Sequence, residues 1–444
     1  MQDEYGRGAD HWLPSRSLPG RRKLIGAAMR EIPYSVFQQR IGVNPGQRIP
    51  VEGTVETTYR CNLNCAHCYV NEPAGDREIQ GRELSLERLK VLVDEIADAG
   101  TLHVLFTGGE VLVRPDFPEL YLHALRRGLL VTIFTNGTMI TERLAELFDE
   151  YRPQAIEITL YGMTRETYEK VTRVPGSYDK CIEGVQRLVA RKITLKLKTM
   201  LLTWNQHEAA AMEAYARGLG LEFKFDGLLN PRVDCGSNRR GELQMAPEQV
   251  VALELDTPEK VAELKEFCAN FVAPADEPVS HDKVYTCGAG ERTFTVDPYG
   301  RLQMCQLSRR SFFDLKQGSF DEGWNEFFPM LRARTWQKND VCKHCNLMSL
   351  CGSCPGAAEM EHGDIEAMVE NFCEIAHLRA HTILGESSGH RRDATCCLGH
   401  GRLAELPPEQ AATRLGGECG GSCGSHTHEA APPLIQISRP RPRN

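Results

Sequence analysis

The chain lacks several features that would each have pointed to a class of function. It has no excess of positive charge: 52 Lys and Arg stand against 60 Asp and Glu, a formal net charge of -8. Phosphate recognition needs a basic surface, so a dedicated nucleic-acid binder is disfavoured. There is no secretory apolar core at the N-terminus, where "MQDEYGRGADHWLPSRSLPGRR" is polar. No apolar run approaches the roughly 20 residues of a membrane helix. No internal repeat is visible. The expectation is a cytoplasmic protein with neither membrane nor nucleic-acid partner. Its 17 cysteines are then not read as disulfides, because the cytosol keeps thiols reduced; metal or cluster ligation is the better default.

One shortage is local. "TYRCNLNCAHCYVN" sets Cys61, Cys65 and Cys68 in a C-x3-C-x2-C pattern, one ligand short of a closed zinc site or a fully ligated cubane. A zinc knuckle completed by His67 or by a distant cysteine stays open at this point.

The 444 residues suffice for two or three domains. Residues 1–50 read as an N-terminal extension with one amphipathic helix, "RRKLIGAAMREIPYSVFQQRI". Residues 51–265 alternate. Strand-like runs ("VEGTVETTY", "LHVLF", "LVTIFT", "AIEITL", "ITLKLKTML", "LEFKFD") are separated by helical stretches, one with Ser85 as N-cap and one opened by Pro115. Six strands alternating with helices give an α/β fold with a parallel sheet, open or closed. Cys61, Gly108, Asn136, Gly162, Asn205 and Asp226 each follow a strand, the face where βα barrels carry their chemistry. Residues 266–385 are loop-rich and gather cysteines. Residues 386–444 are rich in Gly, Pro and Ser and read as a disordered tail.

The residues after the first four strands resemble the radical S-adenosylmethionine (SAM) enzymes. C-x3-C-x2-C is that family's hallmark, with an aromatic residue before the last cysteine and Tyr after it, as His67 and Tyr69 stand here. "FTGGEVL" supplies Gly108, Gly109 and Glu110; the glycines are expected to let backbone approach a ligand, and the carboxylate to accept from an ammonium. Val111 replaces the family's usual Pro. "FTNGT" offers Asn136, and "ITLYG" with the following "YEKVTRVPGSYD" offers Arg173, as further SAM contacts. The resemblance implies a partial (β/α)6 TIM-like barrel whose three thiolates hold a [4Fe–4S] cluster with one iron left for SAM. It also implies reductive cleavage of SAM to a 5′-deoxyadenosyl radical that takes hydrogen from a substrate, the cofactor carrying the hard step. Asp226 is a candidate to bind substrate or take a proton, against the bland reading of an exposed strand-end carboxylate.

A second array follows. "RTFTVDPYGRLQMC" reads as a β-hairpin, with Pro298 at the second turn position and Gly300 at positive φ. "CKHCNLMSLCGSC" and "ENFCEI" add five cysteines. Alone, such a pattern signals a zinc ribbon; after this barrel it resembles the SPASM domain, a module with two auxiliary [4Fe–4S] clusters. Carried over, Cys342, Cys345, Cys351 and Cys373 hold the distal cluster, and Cys287, Cys305 and Cys354 the nearer one. The last gap in the quartet is x2 where the family has x3. The nearer cluster's fourth ligand is left to Cys268, Cys235 or an open iron. Cys181 reads as a buried apolar-type cysteine. In the tail, Cys396, Cys397, Cys419 and Cys423 with His426 and His428 offer a metal site or a flexible end.

The implied activity is modification of a ribosomally made peptide or protein by thioether or carbon–carbon bond formation or residue oxidation. An electron donor such as flavodoxin or ferredoxin would serve it. Because 50 residues are too few for a leader-recognition domain of the order of 80–90 residues, leader recognition is expected to need a separate leader-peptide-binding protein or another surface of this chain. Other readings are a small-molecule or tetrapyrrole radical enzyme, a non-catalytic iron–sulfur electron carrier and a zinc-binding structural protein.

Overall fold

A computed structural model describes residues 48–70, 72–234, 239–271, 280–352 and 354–384. The amphipathic helix expected before residue 48, Cys235 and the tail cysteines and histidines lie outside the described residues. Among the described residues no helix is long and apolar enough to cross a membrane.

Six parallel strands form where alternation predicted them: β1 (Glu52–Thr58), β2 (His103–Gly108), β3 (Leu130–Thr135), β4 (Ala155–Thr159), β5 (Leu195–Met200) and β6 (Glu222–Asp226). They pair in chain order, each parallel to the next. Between them run α1 (Leu86–Asp98), α2 (Phe117–Arg126), α3 (Glu142–Glu150), α4 (Arg165–Thr172), α5 (Ser177–Ala190) and α6 (Ala209–Gly218). Ser85 caps α1 by accepting from Arg88 N, as expected, and Thr141 does the same for α3 from Leu144 N. The helix after β2 starts later than Pro115. Its N-cap is Asp116, and Pro118, not Pro115, lies in the first turn, where a missing N–H costs nothing.

The core lies between sheet and helices. Ile156, Ile158, Leu195 and Leu197, the buried alternate residues of β4 and β5, belong to one core with Val185 and Leu188 of α5. Alternate strand residues therefore face the barrel interior.

The cysteine-rich segment is built onto the same sheet. The predicted hairpin forms as β7 (Thr293–Val296) and β8 (Arg301–Gln303), and β9 (Phe313–Asp314) pairs antiparallel with β8. β7 pairs parallel with β1, so the hairpin extends the edge of the barrel sheet. Asp297 Oδ1 accepts from Tyr299 N and Arg301 N, both at 2.9 Å, and Gly300 has φ +85°, a conformation L-residues avoid.

Gly300→Ala should therefore lower stability by about 1–2 kcal/mol. Gly81→Ala, in the helix Arg77–Arg82 where a Cβ meets nothing within 4 Å, should raise it by about 0.5–1 kcal/mol. Urea midpoints at unchanged slope check both.

Candidate functional site

The cysteine loop leaves β1 and has little regular structure of its own. Leu63, Ala66 and Val70 are buried anchors, Asn64 N donates to Thr172 O at 3.0 Å, and Ala66 N to Val171 O at 2.9 Å. The loop is thus docked on the C-terminal end of α4, with Cys65 and Cys68 between its anchors and Cys61 just before them. Burial pushes the Cys61 thiol up to about 12, with further upward pressure from Glu110 and Cys68. Cys65 is raised by burial, then by Cys68 and Cys61, and opposed by a hydrogen bond from Tyr161. The three sulfurs therefore share one pocket, and anionic or acidic neighbours dominate their surroundings. Such thiols ionise when a cation enters beside them, and that is the fit the pocket offers to an iron cluster. Among the described residues no three His, Cys, Asp or Glu side chains form a ready site for a metal ion; a cubane asks for something different, thiolates on separate irons.

Gly108 and Gly109 permit a close approach within the protein itself. A Cβ on Gly108 would stand 2.1 Å from Thr58 O, and one on Gly109 2.4 Å from both Tyr59 O and Arg60 O. Gly109 N donates to Thr58 O at 2.7 Å and Glu110 N to Arg60 O at 3.0 Å. The close approach these glycines permit is to the root of the cysteine loop. Glu110 is fully buried. It accepts from Leu112 N at 3.0 Å, Thr135 Oγ1 at 2.8 Å and Asn136 N at 2.7 Å. Burial still raises its pKa against those three bonds. Three of about four acceptor positions are used, leaving one on Oε2 for a cation.

Asn136 is committed within the protein. Its Nδ2 lies 3.7 Å from Cys61 Sγ and 2.9 Å from Asn62 Oδ1, while its Oδ1 accepts from Thr138 N and Thr138 Oγ1. Tyr161, which no sequence pattern singles out beside Gly162, sends its hydroxyl to Cys65, and its ring meets that of His67 at 5.1 Å. Burial drives His67 down to about 4, so the imidazole is neutral. Gly162 leaves room for Glu208, whose Oε2 would lie 3.0 Å from a Cβ there; Glu208 accepts from Thr164 Oγ1 and Thr167 Oγ1, both at 2.6 Å. Asn205 is fully buried and bonds Leu202 N, Tyr161 O and Met200 O. These two hold loops together. Arg173 is exposed and left-handed at the end of α4, next to the docked cysteine loop. Asp226 is exposed and accepts from Leu228 N at 2.8 Å.

Tyr69 leads to a network that no local pattern announced. Its hydroxyl lies 3.5 Å from Glu56 Oε1. Glu56, wholly buried on β1, receives Arg309 Nη1 at 2.7 Å and Nη2 at 2.9 Å. Tyr59 OH donates to Glu56 at 3.0 Å and accepts from Arg309 at 2.7 Å. Arg309 lies four residues after Cys305, so a buried bidentate pair ties the second cysteine array to the strand that carries the first.

That second array gathers into two groups. Cys342, Cys345, Cys351 and Cys373 line one cavity with Val369 and Phe372. Burial pushes Cys342 up to about 11, then Cys345 and Cys373 add to it. Cys305, held up to about 12 by burial, feels Cys354 and Cys287. Cys354 precedes the helix Pro355–His362 and accepts from its first N–H groups, Ala357 and Gly356. Cys268 is buried with Leu347, Leu350, Cys345 and Cys351, beside the four-cysteine cavity, so it packs away from the group it was a candidate to complete. Cys181 is buried on α5 as expected.

With this arrangement described, comparison with known proteins adds the lineage. Residues 55–215 match the Radical SAM superfamily. The chain therefore carries a radical SAM domain over those residues. Its cofactors are SAM and a primary [4Fe–4S] cluster. It is similar to the antilisterial bacteriocin subtilosin biosynthesis protein AlbA of Bacillus subtilis (strain 168), 25% identical over 326 residues, 69% of this chain and 67% of that protein. It is similar to the mycofactocin maturase MftC of Mycobacterium tuberculosis, 27% identical over 321 residues, 70% of this chain and 80% of that one. The Fe-coproporphyrin III synthase of Methanosarcina barkeri is 35% identical, but over 155 residues, 35% of this chain and 38% of that protein. Streptococcus suis SuiB, solved bound to its precursor peptide SuiA, shares the fold with a TM-score of 0.57 at 12% identity, covering 81% of this chain and 84% of that one.

Removing either partner of the buried pair leaves an uncompensated charge. Arg309→Met and Glu56→Gln should each cost about 3–5 kcal/mol, and the double variant less than the sum. Chemical denaturation of the three variants checks this; simple additivity would mean that the pair is not coupled.

Proposed function

We propose that this radical SAM protein is a peptide maturase of the cytoplasm: it abstracts hydrogen from a residue of a ribosomally made peptide or protein and leaves a thioether, a carbon–carbon link or an oxidised residue. One observation carries the reading. The matches to AlbA and MftC run for 326 and 321 residues, more than the 265 residues that precede the second cysteine array, so the likeness extends into that array. The match to the porphyrin enzyme spans 155. That higher identity keeps a tetrapyrrole substrate as the second reading.

When bound, the primary cluster and SAM supply a 5′-deoxyadenosyl radical; the rest is the work of this chain's side chains. Cys61, Cys65 and Cys68 would hold the cluster. Asn136 and Tyr161 would donate to Cys61 and Cys65, lowering the cost of their charge. Glu110 would take the ammonium of the methionyl group on its remaining acceptor position, and Arg173 its carboxylate, while Gly108, Gly109 and Tyr69 keep the loop in place. Asp226 stands at the end of β6, where it would meet substrate. Cys342, Cys345, Cys351 and Cys373 would hold one auxiliary [4Fe–4S] cluster, and Cys287, Cys305 and Cys354 another. The latter's fourth position is left to Cys235 or to an open iron, on packing grounds in preference to Cys268. Flavodoxin or ferredoxin would reduce the enzyme, and a separate protein would present the leader peptide.

The test is anaerobic turnover with SAM, a low-potential reductant and short peptides encoded beside this gene, followed by mass spectrometry. The expected outcome is release of 5′-deoxyadenosine and a peptide lighter by two hydrogens, both lost in Cys61→Ala. Release of 5′-deoxyadenosine with modification of a coproporphyrin and of no peptide would overturn the peptide reading.

A further inference from the structure

The barrel interior holds an ion pair that the cluster site does not use. Ile156 and Ile158 of β4, and Leu195 and Leu197 of β5, face the helices, so Glu157 and Lys198 project the other way, into the lumen. Lys198 Nζ lies 3.3 Å from Glu157 Oε2, with the side chains 24% and 17% exposed. Across the sheet Lys198 is in register with Thr159 on β4 and Lys224 on β6, and Glu157 with Phe134 on β3. The Lys198 ammonium sits against the Phe134 ring.

Height in the barrel follows from the same registers. Phe134 precedes by two residues Asn136, whose amide lies 3.7 Å from Cys61 Sγ. Thr159, the register partner of Lys198, precedes by two residues Tyr161, whose hydroxyl reaches Cys65. Two strand residues rise roughly 6–7 Å. Lys198 thus stands about one side chain's length below the cysteine pocket, in the space where a substrate would lie.

The bland reading is a structural pair that seals the lumen. The chain's sealing pairs look different. Arg309–Glu56 is bidentate at 2.7 and 2.9 Å, and Arg60–Glu83 is bidentate at 3.0 Å for both contacts. Lys198 has one contact at 3.3 Å and, among the described residues, no other hydrogen bond for an ammonium with three donors. Burial lowers its pKa to about 8, Lys224 adds to the lowering and Glu157 opposes it. A desolvated, under-bonded cation binds an anion more strongly than an exposed one.

We propose that Lys198 is a substrate-binding residue whose ammonium takes a carboxylate of the substrate, with Glu157 as the resident competitor that the carboxylate displaces. The substrate class is a peptide presenting either an acidic side chain or its free C-terminus at the residue to be modified. This rests on the maturase reading and deepens it.

The experiment is competitive amine labelling of the anaerobic, SAM-loaded wild-type holoenzyme, with modification at Lys198 mapped by mass spectrometry. Three probes separate the sources: N-acetylglutamic acid α-amide carries a side-chain carboxylate, N-acetyl-leucine a terminal one, and N-acetylglutamine α-amide neither. One carboxylate probe should slow labelling of Lys198 about threefold at twice its dissociation constant, the neutral probe should not, and the protecting probe names the source. In Glu157→Gln the same protection should come at lower probe concentration. Equal protection by all three probes, protection by neither carboxylate, a need for more probe in Glu157→Gln, or weaker SAM binding in Lys198→Met would overturn the proposal. Release of 5′-deoxyadenosine by the same wild-type preparation reports on the maturase reading separately, because labelling requires no turnover.

Discussion

The site depends on a contact between two stretches of backbone. Gly108 and Gly109 lie so close to the carbonyls of Thr58, Tyr59 and Arg60 that no side-chain atom fits between them. That contact fuses the end of β2 to the root of the cysteine loop. Glu110 follows at once, fully buried, and its carboxylate pins Thr135 and Asn136 at the end of β3. Asn136 in turn reaches back to Cys61. Three strand ends and the loop they surround therefore move as one body, which a cluster and a ligand bound across them require. A loop of this kind cannot hold three thiols by its own hydrogen bonds; it borrows rigidity from the sheet.

The second array is held to the first by two independent devices. β7 continues the sheet at the free side of β1, and Arg309 sends a bidentate guanidinium into the buried carboxylate of Glu56 on that same strand. Burying a charge pair is costly unless its geometry is good and its remaining valences are met; here Tyr59 and Gln303 add acceptors at Arg309 Nη1, while Arg309 Nε is buried with no hydrogen-bond partner among the described residues. The consequence is a defined separation between the pocket at Cys61, Cys65 and Cys68 and the group at Cys287, Cys305 and Cys354. Gly356 tightens that second group further, since a Cβ there would press on the backbone of Leu307 and Ser308. Electron exchange between centres held at fixed distance is what such a frame would favour.

Much of this was legible from residue order alone. The six strands announced themselves by apolar runs between helical periods, and the hairpin by Asp297-Pro298-Tyr299-Gly300, because turn chemistry is local. The helix cap at Ser85 was equally local. What escaped was everything set by contacts distant along the chain. No pattern near Arg309 says that it will meet Glu56, 253 residues away. Tyr161 stood inside a quoted motif, but only the fold brings its hydroxyl to Cys65. The glycine pair shows its missing Cβ atoms in the sequence, but not that the carbonyls of Thr58, Tyr59 and Arg60 lie against them. Cys268 looked interchangeable with other spare cysteines until its packing beside the four-cysteine cavity separated it from them.

The central proposal is that the cysteines divide into one primary and two auxiliary sites, each of which would hold its own iron. Its most direct test is an iron and sulfide count on protein purified and reconstituted without oxygen, beside two variants. The wild type should hold about 12 irons; changing Cys61, Cys65 and Cys68 to Ala should remove about four, and changing Cys342, Cys345 and Cys351 to Ala should remove a different four or so. Little iron in the wild type, with zinc bound in its place and no difference between the variants, would contradict the account.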